Sequence, residues 1–257
     1  MRFPFSNKKA DRQSRLIRGA ELSIQRNKIS ALIGGNGVGK TTLFNLINGF
    51  LTPDEGQILY YPDGQAIALH RLDPYQVARL GIGRLFQGSR TFGGLSLREN
   101  LLIAANDRVM EKPFYPLFAP RKYKRRTIRL NGEIQELMKA FGDQGFIGNL
   151  DKPVRDLSYA QQRIMNMLSL LMGDYRLVLL DEPCSGVSPE DWETVGALMM
   201  EMQSRGMTLL LIEHNLEFIR KYIQECHYMS SGRIICSGPT AEVLEMPVVR
   251  DEYLALC

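Results

Sequence analysis

Cysteine and histidine are scarce in these 257 residues, with four of one and three of the other. Cys184, Cys226, Cys236 and Cys257 show no C-x-x-C pairing and no histidine at ligand spacing. That argues against a zinc site or a redox motif and marks them as reduced thiols in a reducing compartment. Long apolar runs are missing as well. No stretch reaches the roughly 18–20 residues that a membrane-spanning helix needs, and Met1 to Ala10 lacks the apolar segment of a secretory signal. The chain is therefore expected in the cytoplasm, or at a membrane only through partners. A charge excess is absent too: 32 basic against 28 acidic residues leave +4, so nothing electrostatic points to nucleic acid. No internal repeat or low-complexity tract stands out. What is there is a chain of 44% hydrophobic residues, long enough to bury a sizeable core as one large domain or a core with a subdomain.

Periodicity divides the chain in three. The apolar run ISALI, residues 29–33, ends in glycines and predicts a buried strand. In KTTLFNLING, Leu43, Leu46 and Ile47 recur at helical spacing and Gly49 is a natural stop. TPDEGQILY reads as a turn into a strand, DPYQVARLG as a helix opened by Asp73 and Pro74, and GIGRLF as a second buried strand. From 88 to 172 strand signals fade, and SLRENLLIAA, TIRLNGEIQELMKAFG and SYAQQRIMNMLSLLMG carry helical periodicity. Alternation then resumes with RLVLL, a helix over 189–204, MTLLLI, NLEFIRKYI and the hairpin-like CHYMSSGRIICSG. This predicts an α/β fold with a mostly parallel sheet: a core over 1–87 and 173–257, and an inserted α-helical subdomain over 88–172.

GGNGVGKTT, Gly34 to Thr42, contains G-x-x-x-x-G-K-T after a predicted strand and before a predicted helix, the setting a phosphate-binding loop demands. Gly34, Asn36, Gly37, Val38 and Gly39 would turn backbone amides inward around phosphate oxygens, joined by the free amides and positive dipole end of the helix that follows. Lys40 would face the β- and γ-phosphates, Thr41 would place its hydroxyl on Mg²⁺, and Thr42 completes the turn. RLVLLDEP puts two carboxylates at a strand's C-terminal end, where sites on parallel sheets open. Asp181 would hold Mg²⁺ and Glu182 would orient or deprotonate the attacking water. Without the loop, the blander reading of a strand running into an acidic turn would be preferred. His214, ending TLLLIEH, would reach the same edge, whereas His70 and His227 lack such a setting and read as structural. Gln87, closing GIGRLFQ, could sense Mg²⁺ or water from the hinge between core and helical stretch. LSYAQQR, residues 157–163, reads as a capping box, with Ser158 as N-cap and Gln161 returning the bond.

The phosphate loop, a glutamine after a strand, LSYAQQR, LLDEP and a strand-ending histidine occur in the order and spacing of the ATP-binding cassette ATPases, and the chain resembles that family over nearly its whole length. Within it, NLINGFLTPDEGQI, QVARLGIGRLFQ, LSLRENLLIAA, LLLIEHNLEFI and SGPTAEVLEMPVVRDEYL are most similar to ATPase subunits of branched-chain amino acid importers. The resemblance implies a RecA-like P-loop NTPase core, ATP and Mg²⁺ as cofactors, and a cassette that couples ATP binding and hydrolysis to transport. It also implies a second cassette as partner, membrane-spanning permease subunits to dock on, and a peripheral place on the cytoplasmic side of the cell membrane. Two such cassettes enclose two ATP molecules head to tail, so Ser158, Tyr159, Ala160 and Gln161 would serve the partner's nucleotide.

Two departures carry an expectation of their own. The family pattern has glycine where Ala160 stands, and an Asp or Asn where CSGVSPED offers Ser188, itself a good N-cap before Pro189. Together they predict an asymmetric heterodimer in which the site completed by this chain's signature is the weaker one. The segment before Leu16 offers no aromatic for adenine beyond Phe3 or Phe5. EKPFYPLFAPRKYKRR, residues 111–126, reads as a solvated loop, with contact to lipid headgroups as the alternative. Two other functions stay open: a soluble cassette ATPase in assembly, regulation or repair, and a mainly ATP-binding subunit with negligible turnover.

Overall fold

The computed structural model describes residues 16–86, 91–105, 120–141 and 150–253. They fall into two compact units. The first comprises 16–86, 175–185 and 199–253; the second comprises 91–105, 120–141, 150–174 and 186–198.

The first unit is built on a six-stranded sheet. Its strands are β1 (Ile29–Ile33), β4 (Ile82–Leu85), β5 (Leu177–Asp181), β6 (Thr208–Ile212), β7 (Glu225–Ser230) and β8 (Arg233–Pro239), in the spatial order β4-β5-β6-β1-β7-β8. All neighbours run parallel except β8, which returns antiparallel along β7 as the outer strand. Every residue of β1, β5 and β6 is buried, while β8 alternates between exposed and half-buried positions. Parallel strands covered on both faces read as unbroken apolar runs; the antiparallel outer strand β8 has one face in water and alternates. The two-residue strands β2 (Leu59–Tyr60) and β3 (Ile67–Ala68) form a separate antiparallel ribbon, much shorter than TPDEGQILY implied.

Helix α1 (Lys40–Ile47) follows β1 and buries Leu43, Phe44, Leu46 and Ile47 in a core shared with Leu32, Leu179, Leu210 and Ile212. Gly49 ends it at φ +74, its amide bonded to the Leu46 carbonyl at 3.3 Å. Helix α2 (Pro74–Arg79) starts as read, with the Asp73 and Gln76 side chains closing a capping box over Pro74.

The second unit is helical. α3 (Leu97–Ala104), α4 (Pro120–Phe141) and α5 (Tyr159–Met172) bury Leu97, Leu101, Ile134, Met167 and Leu168, with α3 packed on both of the others. The loop expected over 111–126 gives way to helix from Pro120 onward, with Arg121, Lys122, Lys124 and Arg125 exposed on its first turns. Pro120 tolerates a first-turn position. The basic residues that follow lie on the water side of an amphipathic helix whose other face carries Leu130, Ile134 and Leu137. Residues 111–119 lie outside the described residues. Helix α6 (Trp192–Ser204) begins in the second unit and ends in the first; α7 (Leu216–Tyr222), α8 (Thr240–Glu245) and α9 (Pro247–Glu252) belong to the first.

Candidate nucleotide site

The parallel order places β1 beside β6, and β6 beside β5, so the loops that leave these three strands emerge along one edge of the sheet. From β1 comes Gly34–Gly39, from β5 comes Glu182, and from β6 come Glu213 and His214. Gly34, Gly35, Asn36, Glu182, His214 and Asn215 line a single open cleft of about 760 Å³, with Leu216, Glu217 and Tyr253 completing its wall.

Glycine is required where the loop turns. Gly34 has φ +148, and a Cβ there would run into the Met229 carbonyl; Gly39 has φ +112, and a Cβ would come within 2.7 Å of the Ile17 side chain. Gly39 is also the N-cap of α1 and, having no side chain, gives the first-turn amides no cap. Lys40 Nζ donates to the carbonyls of Gly34 at 2.6 Å and Gly35 at 2.8 Å, so the ammonium is held over the loop. Burial pulls its pKa below the usual lysine value, against the opposing attraction of the Glu182 and Asp181 carboxylates. That mutual influence ties the lysine to the acidic pair. Asn36, Gly37 and Thr41 are exposed, Thr42 is half-buried, and Val38 packs against the core beneath the loop.

Asp181 closes β5, 3% exposed, opposite Ile212 of β6. Glu182 prolongs the ladder with one more bond, its amide donating to the Ile212 carbonyl at 2.9 Å, but at φ +50 it leaves the extended conformation. A left-handed backbone on a non-glycine residue costs on the order of 1–2 kcal/mol. Here it breaks the strand's alternation and brings Glu182 into the cleft wall. His214 is exposed, its Nδ1 3.8 Å from the Glu213 carboxylate. Gln87 lies outside the described residues, as do Phe3, Phe5 and Cys257.

Two groups in this edge were not singled out by sequence reasoning. Glu213 is 1% exposed and accepts three backbone N–H bonds: Oε1 from His214 at 2.9 Å and Asn215 at 3.2 Å, Oε2 from Cys184 at 3.3 Å. It thus fastens the turn carrying His214 to the turn that follows Glu182. Arg84, inside the buried strand β4, pairs with Asp181 at 2.8 Å and donates to Asn45 of α1 at 2.7 Å. The available signal was a charge inside an apolar run for Arg84 and a charge directly ending one for Glu213.

In the second unit, Ser158 caps α5 as read. Its hydroxyl accepts from the Gln161 amide at 3.2 Å, and the Gln161 side chain accepts from the Ser158 amide at 2.9 Å. Ala160, half-buried, lies in the first turn. Tyr159 lies over Gly186 of its own chain: a Cβ on that glycine, at φ +72, would come within 2.5 Å of the ring. Ser188 precedes the short 3₁₀ turn Pro189–Asp191, but its hydroxyl donates to the Asp191 carboxylate at 2.9 Å and caps no backbone amide.

His70, His227 and Cys226 make structural contacts. His70 accepts from the Ile58 amide at 3.2 Å. His227, buried in β7, bonds Ser237 at 2.8 Å, and burial pushes its pKa down to about 4. The Cys226 thiol is driven up to about 11 by burial. Among the described residues, no cluster of three or more His, Cys, Asp or Glu could hold a metal ion, and no helix is long and apolar enough to cross a membrane.

With this geometry in view, the sequence profile of the family described as ABC transporter matches residues 17–185. Among curated relatives, the probable branched-chain amino acid transport ATP-binding protein LivG of Archaeoglobus fulgidus is 30% identical over 91% of this chain and 87% of its own. The high-affinity branched-chain amino acid transport ATP-binding protein BraF of Pseudomonas aeruginosa is 28% identical over 93% and 91%. Among solved structures, a nucleotide-free ATP-binding cassette from an ABC transporter superposes with a TM-score of 0.75 at 26% identity, covering 98% of this chain and 97% of that one. The ADP conformation of MJ1267, an ATP-binding cassette of an ABC transporter, gives 0.72 at 28%, covering 93% and 92%.

Proposed function

The chain belongs to the ABC transporter family as an ATP-binding, ATP-hydrolysing cassette, and from that premise we propose how its residues divide the work. Lys40 and the Gly34–Gly39 amides hold the triphosphate, Glu182 orients and deprotonates the attacking water, and His214 contacts the terminal phosphate. The observation that carries this reading is the single cleft shared by the phosphate loop, Glu182 and His214. The Lys40 ammonium already lies over the loop, and turning from the carbonyls of Gly34 and Gly35 to phosphate oxygens exchanges neutral acceptors for charged ones, bonds roughly twice as strong. Glu182, adjacent to a buried carboxylate and within the influence of Lys40, is held ready by its backbone bond to Ile212.

The donors at the site are hard oxygens, the Asp181 carboxylate and the Thr41 hydroxyl, with Gln87 as the third candidate, and this set suits Mg²⁺ better than a softer metal. When bound, the ion neutralises charge developing on the transferred phosphoryl group. Ser158, Tyr159, Ala160 and Gln161, at the N-terminus of a 14-residue helix, would complete the nucleotide site of a second cassette. Permease subunits would hold the pair at the cytoplasmic face of the membrane. The relatives' names make branched-chain amino acids the first substrate class to test, by leucine or valine uptake into vesicles holding the assembled transporter.

The decisive measurement is ATP binding and hydrolysis by the assembled complex with Glu182→Gln. Binding is expected to persist while turnover falls on the order of 10²–10⁴-fold; undiminished hydrolysis would overturn the assignment. The same substitution in the partner cassette tests the asymmetry that Ala160 and Ser188 suggest. It should cost far less, because the signature serving that site is the altered one, and equal losses would reject it.

A further inference from the structure

The guanidinium of Arg84 is held from four sides. Its Nη2 donates to Asp181 Oδ2 at 2.8 Å and its Nη1 to Asn45 Oδ1 at 2.7 Å. The Phe44 and Phe86 ring centroids lie 5.5 and 4.8 Å from its central carbon. Both charged side chains are 5% exposed. The contacts join the three elements from which the site emerges: β4, which leads to Gln87; α1, which begins with Lys40 and Thr41; and β5, which ends in Asp181. The strength of a charge pair grows as solvent is excluded, so this one weighs on whatever else Asp181 is asked to bind. Nε is buried and finds no acceptor among the described residues, so the Asp181 carboxylate and the Asn45 amide oxygen are what hold the guanidinium.

We propose that Arg84 is the resident counter-ion of Asp181 and sets the affinity of the nucleotide site for its divalent cation. This rests on the reading of Asp181 as the metal-holding carboxylate. One unit of positive charge on that carboxylate opposes a second cation, which keeps metal binding weak until a triphosphate adds its own negative oxygens. A cation drawn to Asp181 repels the guanidinium held against it on β4. Arg84 is in this sense a positioning residue that acts through Asp181.

The test uses the full chain with Mn²⁺ as the probe, its binding followed by electron paramagnetic resonance with and without a non-hydrolysable ATP analogue. Arg84→Gln, which removes the charge, should tighten Mn²⁺ binding about tenfold or more and enlarge the metal-induced rise in melting temperature. Arg84→Lys keeps the charge but loses the fork and the stacking, so it should change Mn²⁺ affinity by less than about threefold while losing stability. If Arg84→Gln folds poorly, Asn45→Ala serves in its place. It frees one arm of the guanidinium to close on Asp181, and Mn²⁺ should then bind more weakly than in the parent chain. Parent-like or weaker affinity in a folded Arg84→Gln chain overturns the inference, as does unchanged or tighter affinity in Asn45→Ala. Lys40→Ala separates this from the broader reading. Should the parent chain show no analogue-dependent Mn²⁺ binding that Lys40→Ala abolishes, the site assignment itself fails.

Discussion

Replacing Glu213 by glutamine changes a single atom type in a side chain that is 1% exposed and accepts N–H bonds from Cys184, His214 and Asn215. The amide oxygen can keep the bonds to His214 and Asn215 at 2.9 and 3.2 Å, now as a neutral acceptor. The NH₂ group must then face the Cys184 amide, donor against donor, where a 3.3 Å bond stood. One unsatisfied buried donor costs about 1–3 kcal/mol. At roughly 2–4 °C per kcal/mol for a chain of this size, the melting temperature should fall by roughly 2–12 °C. The functional consequence follows from what the carboxylate fastens. Cys184 lies two residues after Glu182, and His214 is the adjacent residue, so both groups assigned to the water and terminal phosphate lose their common anchor. Misplacement of reacting groups by about 1 Å can cost on the order of 10²-fold. The expected result in the assembled transporter is therefore a kcat about 10–10²-fold lower with nucleotide affinity within about threefold of the parent, since the Lys40 cradle does not touch Glu213. Calorimetry and steady-state ATP hydrolysis supply the two readouts. A melting temperature within about 1 °C of the parent together with an unchanged kcat would refute the anchoring role.

His227 should make stability fall with acid. Its folded-state pKa, held at about 4 by burial, lies below the unfolded value of 6.5, so the unfolded chain takes up the proton first. The histidine is neutral in both states above about pH 6.5, and stability is lost as pH drops from there toward 4. The gap corresponds to about 3 kcal/mol at 1.36 kcal/mol per pH unit. Urea titrations between pH 7.5 and 5.5 should show that slope, and His227→Gln should flatten it; an equal slope in the variant would remove His227 as the cause. Gly186→Ala forces a Cβ onto the Tyr159 ring at a φ of +72. It should cost on the order of 1–2 kcal/mol of stability and displace the first residue of α5. Turnover by the assembled pair should drop while nucleotide binding to this chain alone stays unchanged; turnover equal to the parent's would show that the contact is idle.

Much of this protein is written in local chemistry. The apolar runs ISALI, RLVLL and MTLLLI read as strands from their shortness and flanking turns, and their burial on both faces bears that reading out. The phosphate loop announces itself because left-handed turns, close backbone approach and a helix start each demand a particular residue type within nine positions. The capping box at Ser158 and Gln161 is equally local, its partners three residues apart. Strand order is another matter. It is the adjacency of β5, β6 and β1, set by pairings such as Ile29 with Leu209, that brings Glu182 and His214 to the glycine loop. Long-range pairing likewise turned two undistinguished charges into structural facts: Arg84 meets Asp181 from 97 positions away, and Glu213 reaches Cys184 across 29. The grouping of 186–198 with the helical unit and the packing of Tyr159 on Gly186 were decided in the same way. Periodicity and turn chemistry act over a few residues and are readable one segment at a time, whereas a buried charge acquires its meaning only from the partner that folding delivers to it.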